Sequence, residues 1–280
     1  MKPNTSQLTI LFTIFMTIAG CQNSSTKPPQ NTLLVATTTS TRDSGLMDIL
    51  VPIFENTHSI KIKLIAVGTG KALQLGRQGD VDLLLVHSPE DELQFMADNH
   101  GIRHEPLMHN YFEILGPKSD PAHISGKDPV EALRLIRQSG ATFVSRGDES
   151  GTHQREKALW NQLEKQTKWS HYLETGQGIG NSLVIANEKQ AYCLCDQGTF
   201  LAMQHRIELI PLAKRTPDLR NSYSILCVNP NKSEKINSTS ANRFTEFLIS
   251  QTGQSLIADF KIDEKTLFHT LRTAIKAPHN

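Results

Sequence analysis

The sequence has little of what would mark it as a nucleic-acid-binding or membrane-embedded protein. Neither sign of charge dominates, because 29 basic side chains stand against 28 acidic ones and the formal net charge is +1 at pH 7. Nucleic-acid-binding domains usually carry a strongly basic face, so we expect no nucleic-acid partner. Beyond residue 20 the chain contains no apolar run long enough to span a bilayer. An anion site in this protein must therefore be built locally, from a few residues.

Cysteine is also scarce, and the four cysteines are not spaced as zinc ligands or as a redox pair. Cys193 and Cys195 are separated by one residue, and no second pair follows at zinc-finger spacing. Three cysteines remain once Cys21 is set aside, and three cannot all pair within one chain. We expect Cys193, Cys195 and Cys227 to be small buried residues on strands, with no metal bound to them.

The first 31 residues are typical of an export signal followed by a tether. Residues 8–19 form an apolar stretch of about a dozen residues, which suits a signal-peptide core better than a membrane span. The stretch ends in Ile18-Ala19-Gly20-Cys21, which resembles the lipobox of bacterial lipoproteins. We therefore predict a signal peptide at 1–20, lipidation of Cys21 and a polar tether at 21–31; the alternative is an ordinary secretory signal with an incidental cysteine. Loss of Lys2 with the signal leaves 28 basic and 28 acidic side chains.

The rest of the chain alternates short apolar strands with amphipathic helices, which is typical of an α/β fold with parallel sheets. Asp43 or Ser44 is a candidate cap for the first long helix, and Pro52 predicts a kink or early break in it. A long helix is predicted at 243–260, interrupted at Gly253. The predicted strands are residues 33–36, 60–67, 81–86, 142–145, 190–195 and 225–228.

Three strand-to-helix junctions are rich in hydroxyl groups or glycine. Residues 37–41 are five consecutive hydroxyl residues, residues 68–70 read Gly-Thr-Gly, and residues 145–152 read Ser-Arg-Gly-Asp-Glu-Ser-Gly-Thr. A helix N-terminus offers unpaired N–H groups and a partial positive charge, and glycine lets a ligand approach the backbone. Arg146 adds a permanent charge whose planar guanidinium suits an oxyanion. The three junctions together predict an oxyanion site at the carboxyl ends of the strands.

Other motifs in the sequence match known sites only in part. The Gly-Thr-Gly-Lys segment at 68–71 is not a phosphate-binding P-loop, because Ile65 stands where that motif requires glycine. The glycines at 176, 178 and 180 do not follow a strand, which disfavours a dinucleotide site. His100, His104 and His109 lie around Pro106 in a segment that we predict to be a loop, so they give no defined zinc site.

Four segments in order resemble the tungstate-binding proteins of ABC importers, which are type II periplasmic binding proteins. The segments are residues 37–45, residues 67–70, residues 145–153 and residues 187–192. The resemblance implies a two-lobed α/β fold, in which each lobe has a mainly parallel sheet flanked by helices and two hinge strands join the lobes. It implies a first lobe at 32–113 and 228–280, a second lobe at 114–227, and crossings near 111–117 and 224–229.

The resemblance also implies which residues hold the anion. In the family, the anion is held by the hydroxyls of the first turn, the threonine of the Gly-x-Gly turn, and the arginine and threonine of the third turn. The corresponding residues are Thr38, Thr39, Ser40, Thr69, Arg146 and Thr152, with Gly70, Ser150, Gly151 and Tyr192 as additional candidates. Family members commonly have threonine where Cys193 and Cys195 stand, and arginine where Gln197 stands; we do not expect Gln197 to be a ligand.

Tungstate chemistry agrees with such a set of residues. Near neutral pH tungstate is a deprotonated tetrahedral dianion, so it accepts hydrogen bonds and cannot donate one. Hydroxyls, backbone N–H groups and one arginine supply donors, whereas a phosphate site benefits from a carboxylate that accepts the ligand's proton. We therefore expect Asp148 to point away from the anion, capping the following helix or bracing Arg146.

These observations predict an extracytoplasmic, lipid-anchored solute-binding protein that delivers tungstate to the membrane permease of an ABC importer. We expect a monomer that binds no cofactor and is not an enzyme. A molybdate, phosphate or sulfate binder of the same fold remains an alternative, as does a signalling or adhesion lipoprotein. An anion-site enzyme such as a phosphatase could use Asp43 or His153, but the sequence offers no nucleophile, base and orienting group in one arrangement.

Overall fold

The computed structural model describes residues 31–163 and 169–271, so the predicted signal peptide, Cys21 and nearly all of the tether lie outside the described residues. Ten strands of this part form one mixed sheet in the order β2-β1-β3-β9-β4-β7-β5-β6, with β8 and β12 also paired to β4, and β10 and β11 form a separate hairpin. The strands are β1 Thr32–Thr38, β2 Lys61–Val67, β3 Leu83–Val86, β4 Gly101–Gly116, β5 Phe143–Ser145, β6 Tyr172–Glu174, β7 Tyr192–Asp196, β8 Ile210–Pro211, β9 Arg220–Val228, β10 Lys261–Ile262, β11 Lys265–Thr266 and β12 His269–Thr270.

Helices follow most of the strands and pack against the sheet. The helices of the described chain are α1 Thr39–Asp43, α2 Leu46–His58, α3 Thr69–Gln78, α4 Pro89–Ala97, α5 Pro129–Ser139, α6 Gly151–Trp160, α7 Ile179–Glu188, α8 Gln197–Met203, α9 Ser238–Ile249 and α10 Gln251–Ala258. Ser250 caps α10 with its side chain, so the long helix predicted at 243–260 is two helices that meet at this residue. The predicted α/β fold class is confirmed.

The strands divide into two lobes that share β4. The first lobe comprises β1, β2, β3, β9 and the N-terminal part of β4, with α1–α4, α9 and α10. The second lobe comprises β5–β8 and the C-terminal part of β4, with α5–α8. β1 runs parallel to β2 and β3, and β5 runs parallel to β6 and β7, whereas every pairing of β4 and β9 is antiparallel. The predicted parallel sheets are thus the two outer parts of a mixed sheet.

β4 forms the first crossing between the lobes. It pairs with β9 as far as Tyr111 and with β7 from Phe112 onward, which agrees with the crossing predicted near 111–117. The second crossing, predicted near 224–229, lies earlier in the chain. Residues 224–227 already pair with β3, and Arg220 is the partner of Tyr111, so the chain has reached the first lobe by Arg220. The predicted boundary between residues 227 and 228 therefore falls inside β9.

The hydroxyl cluster at 37–41 folds into a short helix that sequence reasoning did not predict. Thr38 caps α1 by accepting the Thr41 N–H, and Gly45, with φ of +84°, turns the chain into α2. The prediction that Asp43 or Ser44 caps α2 is correct only in part: the N-cap is Gly45, but the Ser44 hydroxyl accepts the N–H of Leu46, the first residue of α2, at 3.3 Å. Asp43 ends α1. Pro52 lies inside α2, which continues to His58, so the predicted break does not occur. Buried side chains on both sides of Pro52 hold the helix against the core.

The segment predicted as a loop around Pro106 is part of β4. His104 and His109 lie on this strand, and the register with β9 shifts between Pro106 and Met108, where proline lacks the N–H that a regular ladder needs. Within residues 31–163 and 169–271, no group of three or more His, Cys, Asp or Glu side chains could hold a metal ion. In the same part of the chain, no helix has both the length and the apolar character that a membrane span requires.

Candidate oxyanion-binding site

A cavity of about 310 Å³ lies between the lobes, where β1, β5 and β7 end and helices begin. It is lined from the first lobe by Thr38, Thr39, Ser40 and Thr69 and from the second by Arg146 and Thr152. The structure thus brings together the six residues that the family resemblance implies. Ser150 and Gly151, two of the four additional candidates, also line this cavity.

The first wall is the hydroxyl turn that opens α1. Thr38 Oγ1 shares hydrogen bonds with Thr41 Oγ1 at 2.7 Å and with Ser40 Oγ at 3.1 Å. Thr37 is buried and donates its hydroxyl to the carbonyl of Leu85 at 3.1 Å, which ties β1 to β3. Thr37 and Thr41 therefore hold the turn, while Thr39 and Ser40 are the more accessible hydroxyls facing the cavity.

The second wall is the start of α3, which begins at Thr69. Thr69 is buried, and its Oγ1 has no hydrogen-bond partner within the described chain. A buried hydroxyl without a partner is unfavourable by about 1–3 kcal/mol, so this atom is placed for a partner that enters the cavity. Gly68, which caps α3, faces the cavity as well, whereas Gly70 does not line it among the described residues. The candidate at Gly70 is thus replaced by Gly68.

The third wall carries Arg146, the one lysine or arginine among the described residues that line the cavity. Its Nη2 donates to Asp148 Oδ2, and its Nη1 lies 3.4 Å from Thr152 Oγ1. The Nε atom is buried and has no partner in residues 31–163 and 169–271. The other oxygen of Asp148 accepts the Ser150 N–H at 3.2 Å, so Asp148 braces Arg146, as predicted, and also orders the turn before α6.

Five helices of the described chain begin at this cavity, including α8 after Asp196, and sequence reasoning missed one of them, α7. α1, α3 and α6 follow the three predicted junctions, while α7 begins after Gly178 and lines the cavity with its first turn. The glycine series at 176, 178 and 180 was set aside because no strand was expected before it, but it follows β6 and leads into this helix, with Gly178 as the N-cap. Each N-terminus adds unpaired N–H groups and partial positive charge, which favours an anion. The signal in the sequence was Gly178 followed directly by an apolar helical stretch.

Tyr192 lies away from the cavity, contrary to its place among the candidates. It is fully buried, its hydroxyl donates to Asp120 Oδ1 at 2.8 Å, and it accepts the Ala122 N–H at 2.9 Å. Its ring packs so closely on Gly116 that a Cβ there would lie 2.5 Å from two ring carbons. The length of β7 explains the position, because Tyr192 begins the strand and the cavity-facing Asp196 ends it, which separates the two residues by roughly 13 Å.

The cavity wall is not made of donors alone. Asp43 and Asp196 also line it, and neither was predicted to do so. Both carboxylates already accept hydrogen bonds: Asp43 from Arg42 Nε at 2.7 Å, and Asp196 from the N–H and hydroxyl of Thr199 at 2.9 and 2.7 Å. The ion pair with Arg42 offsets part of the charge of Asp43, and each Asp196 oxygen accepts one hydrogen bond from Thr199.

Gln197 and the three described cysteines do not line the cavity. Gln197 is buried, and its amide reaches Tyr111 N–H on β4 and the carbonyl of Thr266, each at 3.4 Å, so it bridges the hinge strand and the C-terminal hairpin. Cys193, Cys195 and Cys227 are buried on β7 and β9, and no disulfide joins them in the described chain. Burial raises the pKa of the Cys193 thiol to about 12, so these side chains act as apolar packing groups.

A larger groove of about 750 Å³ runs along α6 but has the wrong chemistry for a dianion. Glu90, Glu149 and Glu174 lie in its walls beside Arg155 and Lys157. The Lys157 ammonium is already bound to Glu149 at 2.6 Å. The smaller cavity, with Arg146 and five helix N-termini, is the better anion site.

Two α/β lobes that share a hinge strand and enclose a polar cavity form the type II binding-protein fold. Comparison with known proteins gives the same class, because a model of the PBP superfamily domain matches residues 23–252. PBP denotes the periplasmic binding proteins, which enclose a solute between their lobes.

The similarity extends to one branch of that class. The chain is 37% identical over 270 residues to the tungstate-binding protein TupA of Peptoclostridium acidaminophilum, and the match covers 93% of this chain and 94% of that protein. The structure of TupA from Desulfovibrio alaskensis G20 superimposes with a TM-score of 0.79 at 41% identity, covering 85% of this chain and 98% of that one. The tungstate ABC transporter structure from Geobacter sulfurreducens gives 0.76 at 42% identity, covering 82% and 99%. The chain belongs to the PBP superfamily and, within it, to the family of the TupA tungstate-binding proteins.

Proposed function

We propose that the chain is the solute-binding subunit of an ABC importer, and that it captures tungstate in the cavity between its lobes and delivers it to a membrane permease. The observation that carries this proposal is the pair of buried donors without partners within the described chain, Thr69 Oγ1 and Arg146 Nε, which lie in opposite lobes. A tetrahedral anion between them would satisfy both donors and hold the lobes together. The names of the similar proteins support tungstate as that anion.

Thermal unfolding in the presence of tungstate, molybdate, sulfate and phosphate tests the proposal. A ligand at about a hundred times its Kd stabilises the folded state by about 2.7 kcal/mol. We expect tungstate to raise the Tm and sulfate and phosphate to leave it nearly unchanged. A shift with phosphate or sulfate alone would assign the site to that anion, and no shift with any of the four would contradict a binding role. Molybdate is nearly isosteric with tungstate, so calorimetric titration is needed to compare the Kd values of the two anions.

Arg146→Ala links the binding to this cavity. Because a hydrogen bond to a charged group contributes about 1.5–3 kcal/mol, the variant should bind tungstate about 10 to 150 times more weakly. Arg134→Ala is the matched control, since Arg134 is a paired surface residue on α5 of the same lobe. Unchanged binding in Arg146→Ala would remove the cavity from the proposal.

A non-enzymatic role is supported by the partners of the two residues considered for catalysis. Asp43 is exposed and bound by Arg42, and His153 Nδ1 accepts the Glu149 N–H at 3.0 Å, so this nitrogen is not available as a base. The proposal also includes a lipid anchor at Cys21, which lies outside the described residues. Cys21→Ser should abolish incorporation of labelled fatty acid in cells; unchanged labelling would contradict the anchor.

A further inference from the structure

His87 lines both the oxyanion cavity and the larger groove along α6, so it lies where the two meet. It follows directly after β3, in the first lobe. Its ring packs on Tyr223 with centroids 4.8 Å apart. On another side it meets the first turn of α6, where a Cβ on Gly151 would lie 3.0 Å from His87 Cε1 and 3.4 Å from Nδ1. The Nδ1 edge of the ring therefore borders the helix N-terminus that forms one wall of the cavity.

The hydrogen bonds around His87 decide which ring nitrogen carries the proton. The Asn221 side chain lies beside the ring and favours its protonated form. Both amide hydrogens of Asn221 are already used, one by Asn110 Oδ1 at 2.8 Å and one by the Tyr223 hydroxyl at 3.0 Å. Asn221 can therefore offer His87 only its carbonyl oxygen, and the nitrogen facing it must be a donor. His87 Nδ1 is buried and has no hydrogen-bond partner in the described part of the chain, so we assign the proton to Nε2, on the side of Asn221.

The surroundings keep the free ring neutral. Burial is the largest effect and lowers the pKa of His87; the carboxylates of Asp196 and Glu92 and the Asn221 side chain act in the opposite direction, and the charge of Arg146 adds a smaller lowering of the pKa. Tyr223 and Asn221, which face the ring from β9, carry no charge. His153 on α6 has its own Nδ1 bound to the Glu149 N–H. A neutral ring with its proton on Nε2 presents a bare Nδ1 lone pair beside the anion site.

We propose that His87 is a further anion-contacting residue, and that its Nδ1 takes up one proton from solvent when a proton-free tetrahedral dianion binds. A bare lone pair repels an oxyanion oxygen, whereas a protonated Nδ1 donates a charge-assisted hydrogen bond to it. The negative charge of the incoming anion favours the protonated ring. The proton returns to solvent when the anion leaves, so capture and release are coupled to proton uptake and loss. This inference rests on the proposed function and concerns the same cavity.

The expected proton uptake differs among oxyanions. Hydrogen phosphate carries its own proton and can donate it to a neutral Nδ1, so it needs no proton from solvent. Tungstate has no such proton and must recruit one. Proton uptake should therefore accompany the binding of tungstate and be smaller or absent with phosphate.

Calorimetric titration of the wild-type protein in buffers of different ionisation enthalpy measures the number of protons taken up per anion bound. At about pH 7.5 we expect more than about 0.5 proton per tungstate, and an affinity that falls as pH rises, by up to about tenfold per unit. His87→Gln, which cannot titrate, should bind tungstate with proton uptake near zero and with little dependence on pH. His153→Gln is the matched control and should take up protons like the wild type.

Nitrogen NMR of the histidine rings provides a measurement that needs no variant, because saturation with tungstate should convert His87 Nδ1 from a bare to a protonated nitrogen. Tungstate binding with no net proton uptake, or with uptake that persists in His87→Gln, would overturn this inference while leaving the proposed function intact. If the wild type bound tungstate at no pH, the proposed function itself would fail.

Discussion

The Asp148 carboxylate binds the Arg146 guanidinium with one oxygen and the Ser150 N–H with the other. One acid thus orients the charged donor of the cavity and the turn that opens α6. Although burial alone raises the pKa of Asp148, the bonds from Ser150 and the charge of Arg146 outweigh it and lower the pKa. Asp148 is therefore ionised at neutral pH and acts on the anion through Arg146.

Asp148→Asn tests this positioning role. The amide oxygen can accept from only one of Arg146 and Ser150, because the NH2 group cannot accept a hydrogen bond, and the negative charge is lost. The loosened brace and the freed arginine charge act in opposite directions. We expect the Kd for tungstate to change by less than about tenfold and the order of preference among anions to stay the same. Titration with tungstate, molybdate and sulfate measures both. A tenfold or larger gain in tungstate affinity would mean that Asp148 faces the ligand.

Gly151→Ala should weaken binding with little effect on stability. The added Cβ would lie 3.0 Å from His87 Cε1, so the ring or the first turn of α6 must shift by a few tenths of an ångström. A misplaced hydrogen bond changes affinity by about tenfold, while alanine is tolerated in a helix. Gly70→Ala is the control, because a Cβ at that position meets no atom of the described chain within 4 Å. Equal Kd values for the two variants would contradict close contact at Gly151.

Glu156 should make stability depend on pH. Burial raises its pKa to about 7, even though the Tyr172 hydroxyl donates to it at 2.6 Å. The native state then holds a proton that the unfolded chain has already lost, so the free energy of unfolding falls as pH rises from about 4.5 to about 7.

Glu156→Gln removes this titration and keeps an oxygen that can accept the Tyr172 hydroxyl. Urea unfolding at about pH 5 and pH 8 should show that the wild type loses up to about 3 kcal/mol more than the variant between the two values. Parallel pH profiles for both proteins would show that Glu156 is ionised in the folded state.

The three described cysteines should be unreactive until the protein unfolds. Burial raises the pKa of Cys193, Cys195 and Cys227, so little thiolate forms and reagents cannot reach the sulfur atoms. Peptide mapping after alkylation should find these cysteines unlabelled in the native protein and fully labelled in urea. Rapid native labelling of Cys193 or Cys195 would indicate that β7 opens readily.

Much of the fold was predictable because local patterns and tertiary packing agree. The apolar run before the hydroxyl cluster became β1, the alternating residues at 60–67 became β2, and the acids after Pro89 began α4. β4 was predicted poorly, since its proline and histidines are typical of a loop and only pairing with β9 on one side and β7 on the other makes it a strand. For the same reason the second crossing was misplaced, because strand pairing across the lobes leaves no local signal.

For the candidate site, the sequence by itself determined the chemical groups: hydroxyls, glycines and Arg146 at strand-to-helix junctions, where unpaired N–H groups occur whatever the rest of the fold. Tertiary structure alone decided which of these groups share a cavity. It excluded Tyr192, whose hydroxyl pairs with Asp120, replaced Gly70 with Gly68, and added His87 and the start of α7. The physical reason is that spacing along a chain defines a turn, whereas a site between two lobes depends on contacts between residues that are far apart in sequence.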